Sequence, residues 1–401
     1  MIALKFAPRW LSVAYALQGA LFCLPTLMLF YTYKGLSMGD FFLIQGLAGL
    51  FIFAFEIPTG YIGDLFSRKH TLIIGTVAWV IGYLFLIFGP GFGSVLLGEL
   101  VLGLAIAFIS GTLEAYLYDL LKKRHKEDVF HKKYAKMRML DEFSLTIATF
   151  TGAFMYQFWG PTAPLWAGIL CLVVSITILF LLPDVPESRR VVAKEKSKIQ
   201  DILDISKYAM KHPEIKWLMI FPGIYGTLTF IFFWGWQSVM VATHLPVFIF
   251  SVVMGMNAVM RTLFSGISGK ILEKIHLSGI IKLQGGIIVL ATVASCLAVY
   301  VPVWAVYLCL VLMMIGASSV VLSNIATSVL VNHRIKSDER ATVLSVKSMV
   351  SRIFQGFGLM CLKPLFDGIG VGPTFMVSAL LLIPILICAK RLYQMKLKTR
   401  G

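Results

Sequence analysis

Apolar residues in this 401-residue chain come in uninterrupted runs of about twenty, repeated from one end of the sequence to the other, the length a helix needs to cross a ~30 Å hydrocarbon core. A helix on the surface of a soluble domain carries an apolar stripe on one face, whereas these runs are apolar all round. Composition agrees: 58% of residues are hydrophobic and only 14% charged, well under the roughly 25% charge of soluble domains. Mean hydropathy is +0.84. The alternating pattern of a membrane barrel is absent, and open sheet edges cannot face lipid. The sequence therefore predicts an all-α membrane protein.

The net charge of +16 invites a nucleic-acid reading, which the placement of the charges opposes. Spans are predicted at about 9–33, 40–64, 71–90, 92–121, 134–158, 163–183, 215–243, 248–273, 278–300, 302–332, 340–366 and 371–391, twelve in all. Of the 36 Lys and Arg, 31 fall in the termini and alternate connectors that lie on one side of this arrangement. Lys34 and Lys363 lie on the other side, and Arg261, Lys347 and Arg352 fall inside spans. Cations mark cytoplasmic connectors, so both termini are expected in the cytoplasm of a multi-pass bacterial inner-membrane protein. The first apolar run continues past Leu29 with no small-residue cleavage site, so it is expected to stay in place as a span. The six cysteines are scattered through apolar runs without metal-ligand or disulfide spacing, and no metal or cofactor is expected.

The long inner connector divides the chain into a six-helix bundle over 1–183, a linker over 184–214 and a second six-helix bundle over 215–401. In the linker, Ile199, Ile202, Leu203, Ile205 and Met210 alternate with charge at helical spacing, which predicts an amphipathic surface helix. Trp10, Trp159, Trp217 and Trp304 fall near predicted interfaces, where amphipathic rings are favoured. Gly60-Tyr-Ile-Gly63-Asp64-Leu-Phe-Ser-Arg68 after span two is echoed by Gly266-Ile-Ser-Gly269-Lys270-Ile-Leu-Glu-Lys274 after span eight. Two glycines and a final cation recur at like spacing, as expected of two pseudo-symmetric repeats.

Glu56-Ile-Pro-Thr-Gly60-Tyr-Ile-Gly-Asp64-Leu-Phe-Ser-Arg68-Lys69 resembles the signature loop between helices two and three of the major facilitator superfamily. Ser67 stands where that pattern has glycine. Ser110-Gly111-Thr-Leu-Glu114-Ala-Tyr-Leu-Tyr-Asp119 and Arg340-Ala-Thr-Val-Leu-Ser345 resemble further segments of bacterial members. The resemblance implies a gate in which Gly60 allows close helix approach, Asp64 faces the start of helix eleven and Arg68 meets Asp119. Glu114 is placed with these gate residues. Two departures set the chain apart from drug antiporters of the family: Glu99 aligns near the position of the helix-four arginine, and Thr151-Gly152-Ala153 replaces a Gly-Pro-rich motif in helix five.

Ionisable groups inside spans are costly in lipid and usually line a cavity. Arg261 and Arg352 are candidates to hold a carboxylate or phosphate by bidentate hydrogen bonds, against the plainer reading of helix-locking contacts. Glu99 and Glu56 are candidate proton carriers, since burial moves a carboxyl towards neutral titration; a local hydrogen bond near Pro58 is the alternative for Glu56. Gln18, Gln237, Asn257 and Asn324 are polar groups in apolar spans that either face a cavity or bond between helices. Trp236, with Trp234, Phe232 and Phe233, offers an aromatic wall or simple packing. The run Lys122–Lys126 suits anionic lipid.

No nucleophilic triad or phosphate loop is present, so the chain is not expected to be an enzyme. It reads as a monomeric secondary active transporter moving a small-molecule substrate by alternating access, coupled to protons and embedded in membrane lipids, with no nucleic-acid partner. Proton-coupled export of a drug-like or amphipathic metabolite, as an antiporter, is the first expectation. Proton-coupled import of an anionic solute, such as a carboxylate or siderophore, is the alternative.

Overall fold

The protein is seen here in a computed structural model that describes residues 2–65, 67–185, 213–274, 277–334 and 340–398. The expected surface helix of the linker lies outside these residues. So do the side chains of Glu56 and Asp64 and the surroundings of Gly60.

The described chain is helical, as it must be where no water can satisfy the backbone. In order the helices are α1 (Ala7–Gln18), α2 (Leu27–Tyr33), α3 (Met38–Leu65), α4 (Arg68–Phe88), α5 (Gly91–Lys122), α6 (Phe130–Trp159), α7 (Ala163–Leu181), α8 (Pro213–Ala242), α9 (Val247–Lys274) and α10 (Leu277–Leu297). They continue with α11 (Val303–Ser318), α12 (Val320–Arg334), α13 (Arg340–Met360), α14 (Lys363–Ile369), α15 (Val371–Ser378) and α16 (Leu382–Lys398). Among the described residues eight stretches are long and apolar enough to cross a membrane, and Lys282–Leu297 is a shorter apolar helix.

The remaining expected spans depart from that standard for visible reasons. Span one is two helices, because Pro25 has no N–H to offer the Leu21 carbonyl and the chain unwinds between Gln18 and Leu24. Span five is α6, whose inner part carries Arg138, Asp141 and Glu142. Span eleven stops at Met360 and a new helix starts at Lys363. Span twelve meets the standard over Val371–Arg391, although it is jointed at Ala379–Leu381, where Pro384 withholds a donor from Leu380.

The chain forms two compact units. Unit 1 comprises Met1–Ser37, Leu47–Ala193 and Pro246–Met254; unit 2 comprises Met38–Gly46, Lys194–Leu245 and Gly255–Gly401. The first residues of α3 thus pack within unit 2, and those of α9 within unit 1.

Unit 1 is centred on Leu11, Leu72, Leu117, Leu120, Met137 and Leu179, all fully or almost fully buried. Its tightest helix pair is α4 with α5, where a Cβ on Gly82 would lie 3.1 Å from the Gly98 carbonyl and one on Gly98 3.0 Å from the Gly82 carbonyl. Small residues let these backbones meet, the usual device where lipid supplies no hydrophobic drive. Unit 2 buries Trp236, Tyr225, Phe232 and Phe375.

Candidate functional site

In unit 1 the loop signature produces a defined joint. Ser67 has extended backbone at the N-cap of α4, and its hydroxyl accepts from the His70 N–H. The residue after it, Arg68, starts the helix with its guanidinium on the last turns of α5. There it pairs with the Asp119 carboxylate and donates to the Ala115 carbonyl at 2.7 Å. A cation over exposed carbonyls at a helix C-terminus is favourable in itself. The structure therefore brings Arg68 and Asp119 together. Glu114, one turn before, is exposed on α5, and the Tyr134 hydroxyl hydrogen-bonds to it.

Glu99 is buried in α5, 8% exposed, and accepts from the Tyr31 hydroxyl at 2.5 Å. Tyr31 lies on α2 and is fully covered. Gln18, at the end of α1, donates from its amide nitrogen to Thr76 Oγ1 at 2.9 Å and Ser175 Oγ at 3.2 Å. Both hydroxyls already donate to backbone carbonyls, those of Leu72 and Ala14, so each can only accept from Gln18. The Gln18 carboxamide oxygen is buried with no partner among the described residues.

The break in span one adds a cluster that sequence reasoning passed over. Arg138 on α6 donates to the Tyr15 hydroxyl and, at 3.1 Å, to Asp141, with Glu142 at 3.6 Å. The Asp141 carboxylate lies against bare backbone at Gly19, where a Cβ would sit 2.0 Å from its oxygen. The exposed surface of α6 has two characters: Met139, Phe143, Phe150 and Phe154 form a greasy side, and Arg138, Glu142 and Thr146 a polar one. The first suits lipid and the second water. The spacing Arg138, Asp141, Glu142 is the i, i+3, i+4 pattern of one helix face; it was masked because Arg138 reads as the last cation of a connector.

On α9, Phe250 and Met254, in its part that belongs to unit 1, and Asn257 and Ser268, in its part that belongs to unit 2, are buried and fall on one line of the helix. Arg261 falls on this same line, yet its side chain is exposed, while the exposed Val252, Val259 and Leu263 occupy the opposite side. Asn257 is 2% exposed and bonds Ser318 of α11 at 3.1 Å, a helix-to-helix contact. Gln237 is buried in α8, Asn324 is exposed on α12 and Arg352 is half-buried on α13. Trp236 is fully covered, and Trp234 packs edge-on against Phe41 at 5.3 Å and Phe233 at 5.0 Å, so these rings form part of a packed interior.

Two further cations of unit 2 carry arrangements that the sequence did not announce. Lys347 on α13 is 6% exposed and donates to three neutral oxygens of α12, the Asn324 carbonyl and the Thr327 and Ser328 hydroxyls, at 3.2, 2.8 and 2.9 Å. Lys363, at the start of α14, pairs with Asp40 at the start of α3 and with Asp367 at 3.0 Å. Beside it Phe42 and Phe366 stack at 4.4 Å. From residue 215 to 366 the only acids are Glu273, Asp338 and Glu339. With Arg261, Lys347 and Arg352, this stretch carries an excess of positive charge.

No group of three or more His, Cys, Asp or Glu suited to a metal occurs among the described residues.

Solved structures similar to this chain are transporters. The nucleoside transporter NupG is 15% identical with a TM-score of 0.79, covering 98% of this chain and 99% of that one. A bacterial homolog of the human lysosomal transporter Spinster is 12% identical with a TM-score of 0.71, covering 98% of each chain. At these identities the likeness is one of fold. Among curated proteins, an uncharacterized transporter of Buchnera aphidicola subsp. Acyrthosiphon pisum is 24% identical over 179 residues, 44% of each chain. Another, from Buchnera aphidicola subsp. Schizaphis graminum, is 27% identical over 166 residues, 41% of this chain and 40% of that one. The alignment thus spans less than half the length of these curated relatives. The Major Facilitator Superfamily family model matches residues 10–359. With that match over most of its length, a helical fold shared with solved transporters and the Arg68–Asp119 joint in its signature loop, the chain belongs to the Major Facilitator Superfamily.

Proposed function

We propose that the chain is a monomeric, proton-coupled secondary active transporter of a small organic solute, with twelve spans and both termini on the cytoplasmic side of a bacterial inner membrane. Two six-helix bundles, 1–183 and 215–401, alternate access to a central site. Of the two solute classes open to the sequence, an organic anion is favoured, and Arg261 carries that choice. It is an exposed guanidinium on the otherwise covered line of α9, and the one acid in the predicted spans of that half, Glu273, lies twelve residues further along the same helix. Arg352 is its partner in binding, with Gln18, Gln237, Asn257 and Asn324 as polar contacts. Trp236 supports them from the interior. Glu99 is the first candidate for the coupling proton and Glu56 the second. Gly60, Asp64, Arg68, Glu114 and Asp119 form the inner gate, and the Lys363–Asp40 pair is a clasp that opens when access changes sides.

The test is a panel of organic anions and amphipathic cations in proteoliposomes with an imposed pH gradient, reading solute and proton movement in both directions. The expected result is gradient-driven movement of an anion, lost in Arg261→Gln. Movement of amphipathic cations alone, unaffected by that substitution, would favour export of a drug-like compound and overturn the anion assignment.

A further inference from the structure

Between α8, α10 and α16 of unit 2 lies a groove of about 650 Å³ that takes no part in the site described above. Its floor holds Phe221 and Tyr225 of α8 with Gly285 and Gly286 of α10, and Lys282 and Lys390 stand among its lining residues. The order along the helices fixes their relation. Gly285, Gly286 and Val289 follow Lys282 at three-, four- and seven-residue steps, one face of α10. Leu386 precedes Lys390 by four residues on α16. Both lysines sit on the same side of their apolar neighbours as the cation-rich ends of the two helices, where Lys270 and Lys274 precede α10 and Arg391 follows Lys390. The groove therefore has a charged mouth and an apolar body.

The body is built to take a chain and offers nothing to a polar guest. Cβ atoms on Gly285 and Gly286 would meet nothing within 4 Å, so the floor is open where side chains would fill it. The rings of Phe221 and Tyr225 stack at 5.5 Å. The Tyr225 hydroxyl is already committed to Ser319 Oγ at 2.6 Å, so it offers no free polar group to a guest. Leu290 and Leu386, both more than half exposed, form the flanks. At the mouth, Lys282 and Lys390 are exposed. No acidic residue occurs on α10 or α16, and on α8 only Glu214 in its first turn.

An inorganic anion would use the lysines and leave the groove empty, and an uncharged apolar molecule would do the reverse. A molecule with an anionic head and a hydrocarbon tail uses both, with lysine stems lying along the apolar rim and their ammonium groups at the headgroup level. We propose that this groove is a binding site for an anionic phospholipid, its phosphate between Lys282 and Lys390 and one acyl chain laid over Gly285 and Gly286. By the cation bias of the sequence that lipid belongs to the cytoplasmic leaflet.

The test is native mass spectrometry of the delipidated full-length protein titrated with phosphatidylglycerol or with phosphatidylcholine of the same chains. One tightly held phosphatidylglycerol is expected, with roughly tenfold preference over phosphatidylcholine. Lys282→Gln with Lys390→Gln should abolish that preference. Gly286→Leu, which enters open space and leaves both charges in place, should weaken retention of both lipids. Lys122→Gln with Lys123→Gln, on the exposed basic run of unit 1, should leave the tight lipid in place. The proposal is overturned if the preference survives loss of Lys282 and Lys390, if it disappears instead with Lys122 and Lys123, or if Gly286→Leu changes nothing.

Discussion

Ser67 is a single departure from the family's loop pattern, and its physical sense is local: where glycine would leave the start of α4 uncapped, the serine hydroxyl accepts from the His70 N–H. Ser67→Ala should lower stability by about 1 kcal/mol and Ser67→Gly by only a few tenths, read as ordered shifts in apparent melting temperature in detergent. Next to it, Arg68→Gln leaves Asp119 half-buried without its cation. Transport should fall sharply in that variant while membrane insertion persists, and Arg68→Asp with Asp119→Arg should recover part of the activity. Recovery by the reversed pair separates an ion pair from two independent requirements. The pair was legible in the sequence because the motif fixes a charge at each of two helix ends. Asp141 was not legible, because its interest comes from Gly19 and Tyr15, more than a hundred residues away in the chain. Lys347 was visible as a charge within a span, but its three neutral oxygens lie about twenty residues away on α12 and no local pattern signals them.

Helix breaks are the main respect in which the elements differ from the sequence reading. Among the described residues eight of the twelve expected spans are long and apolar enough to cross a membrane, and apolar runs predict continuity poorly, because one missing backbone donor is a small signal inside twenty apolar residues. At the break in span one the Phe22 carbonyl turns toward α6 and meets Gly152, where a Cβ would lie 1.9 Å from that oxygen. Backbone cannot rotate away as a side chain would. Gly152→Ala should therefore destabilise by about 1–3 kcal/mol, as overpacking does. Gly111→Ala on α5, with nothing within 4 Å, should be neutral or gain up to about 1 kcal/mol from helix propensity. Equal melting temperatures for the two variants would place the unwound segment elsewhere. The α12–α13 contact allows a sharper separation of stability from function. Lys347 brings an ammonium into a buried site with neutral partners only, and replacing a buried charge by an apolar group of similar length is often neutral or stabilising. Lys347→Met should hold or raise the melting temperature. If the excess positive charge of residues 215–366 recruits an anionic solute, the same variant loses apparent affinity while remaining folded.

The whole molecule repeats one device in its two halves: the opening residues of α3 and of α9 each pack in the unit that does not hold the rest of the same helix. The doubled Gly-x-x-Gly pattern of the sequence lies on these same two helices, while the assignment of their starts depends on contacts far apart in the chain and was not legible. A second asymmetry concerns charge. The predicted spans of the first half hold eight acids, Asp40, Glu56, Asp64, Glu99, Glu114, Asp119, Asp141 and Glu142, and those of the second only Glu273 beside Arg261, Lys347 and Arg352, which suits a division of labour between proton and solute. Among the described members of that set Glu99 is the buried one, 8% exposed, with the Tyr31 hydroxyl donating to it at 2.5 Å. Water reaching that position from one side at a time would let the carboxyl load and unload a proton as access alternates, since ionisation in a dry site is costly and becomes affordable on wetting. Gln at this position keeps the size and the acceptor oxygen for Tyr31 but cannot release a proton. In Glu99→Gln proteoliposomes, accumulation driven by a pH gradient should drop to the level of empty liposomes. Exchange of labelled for unlabelled solute, which needs no net proton movement, should persist. Tyr31→Phe removes the donor alone and should shift the pH at which accumulation is half-maximal without abolishing it. Glu99→Gln liposomes that still accumulate solute against its gradient, with the pH dependence of the native protein, would move the coupling proton to another group, and the same assay on Glu56→Gln and Asp141→Asn would then find it.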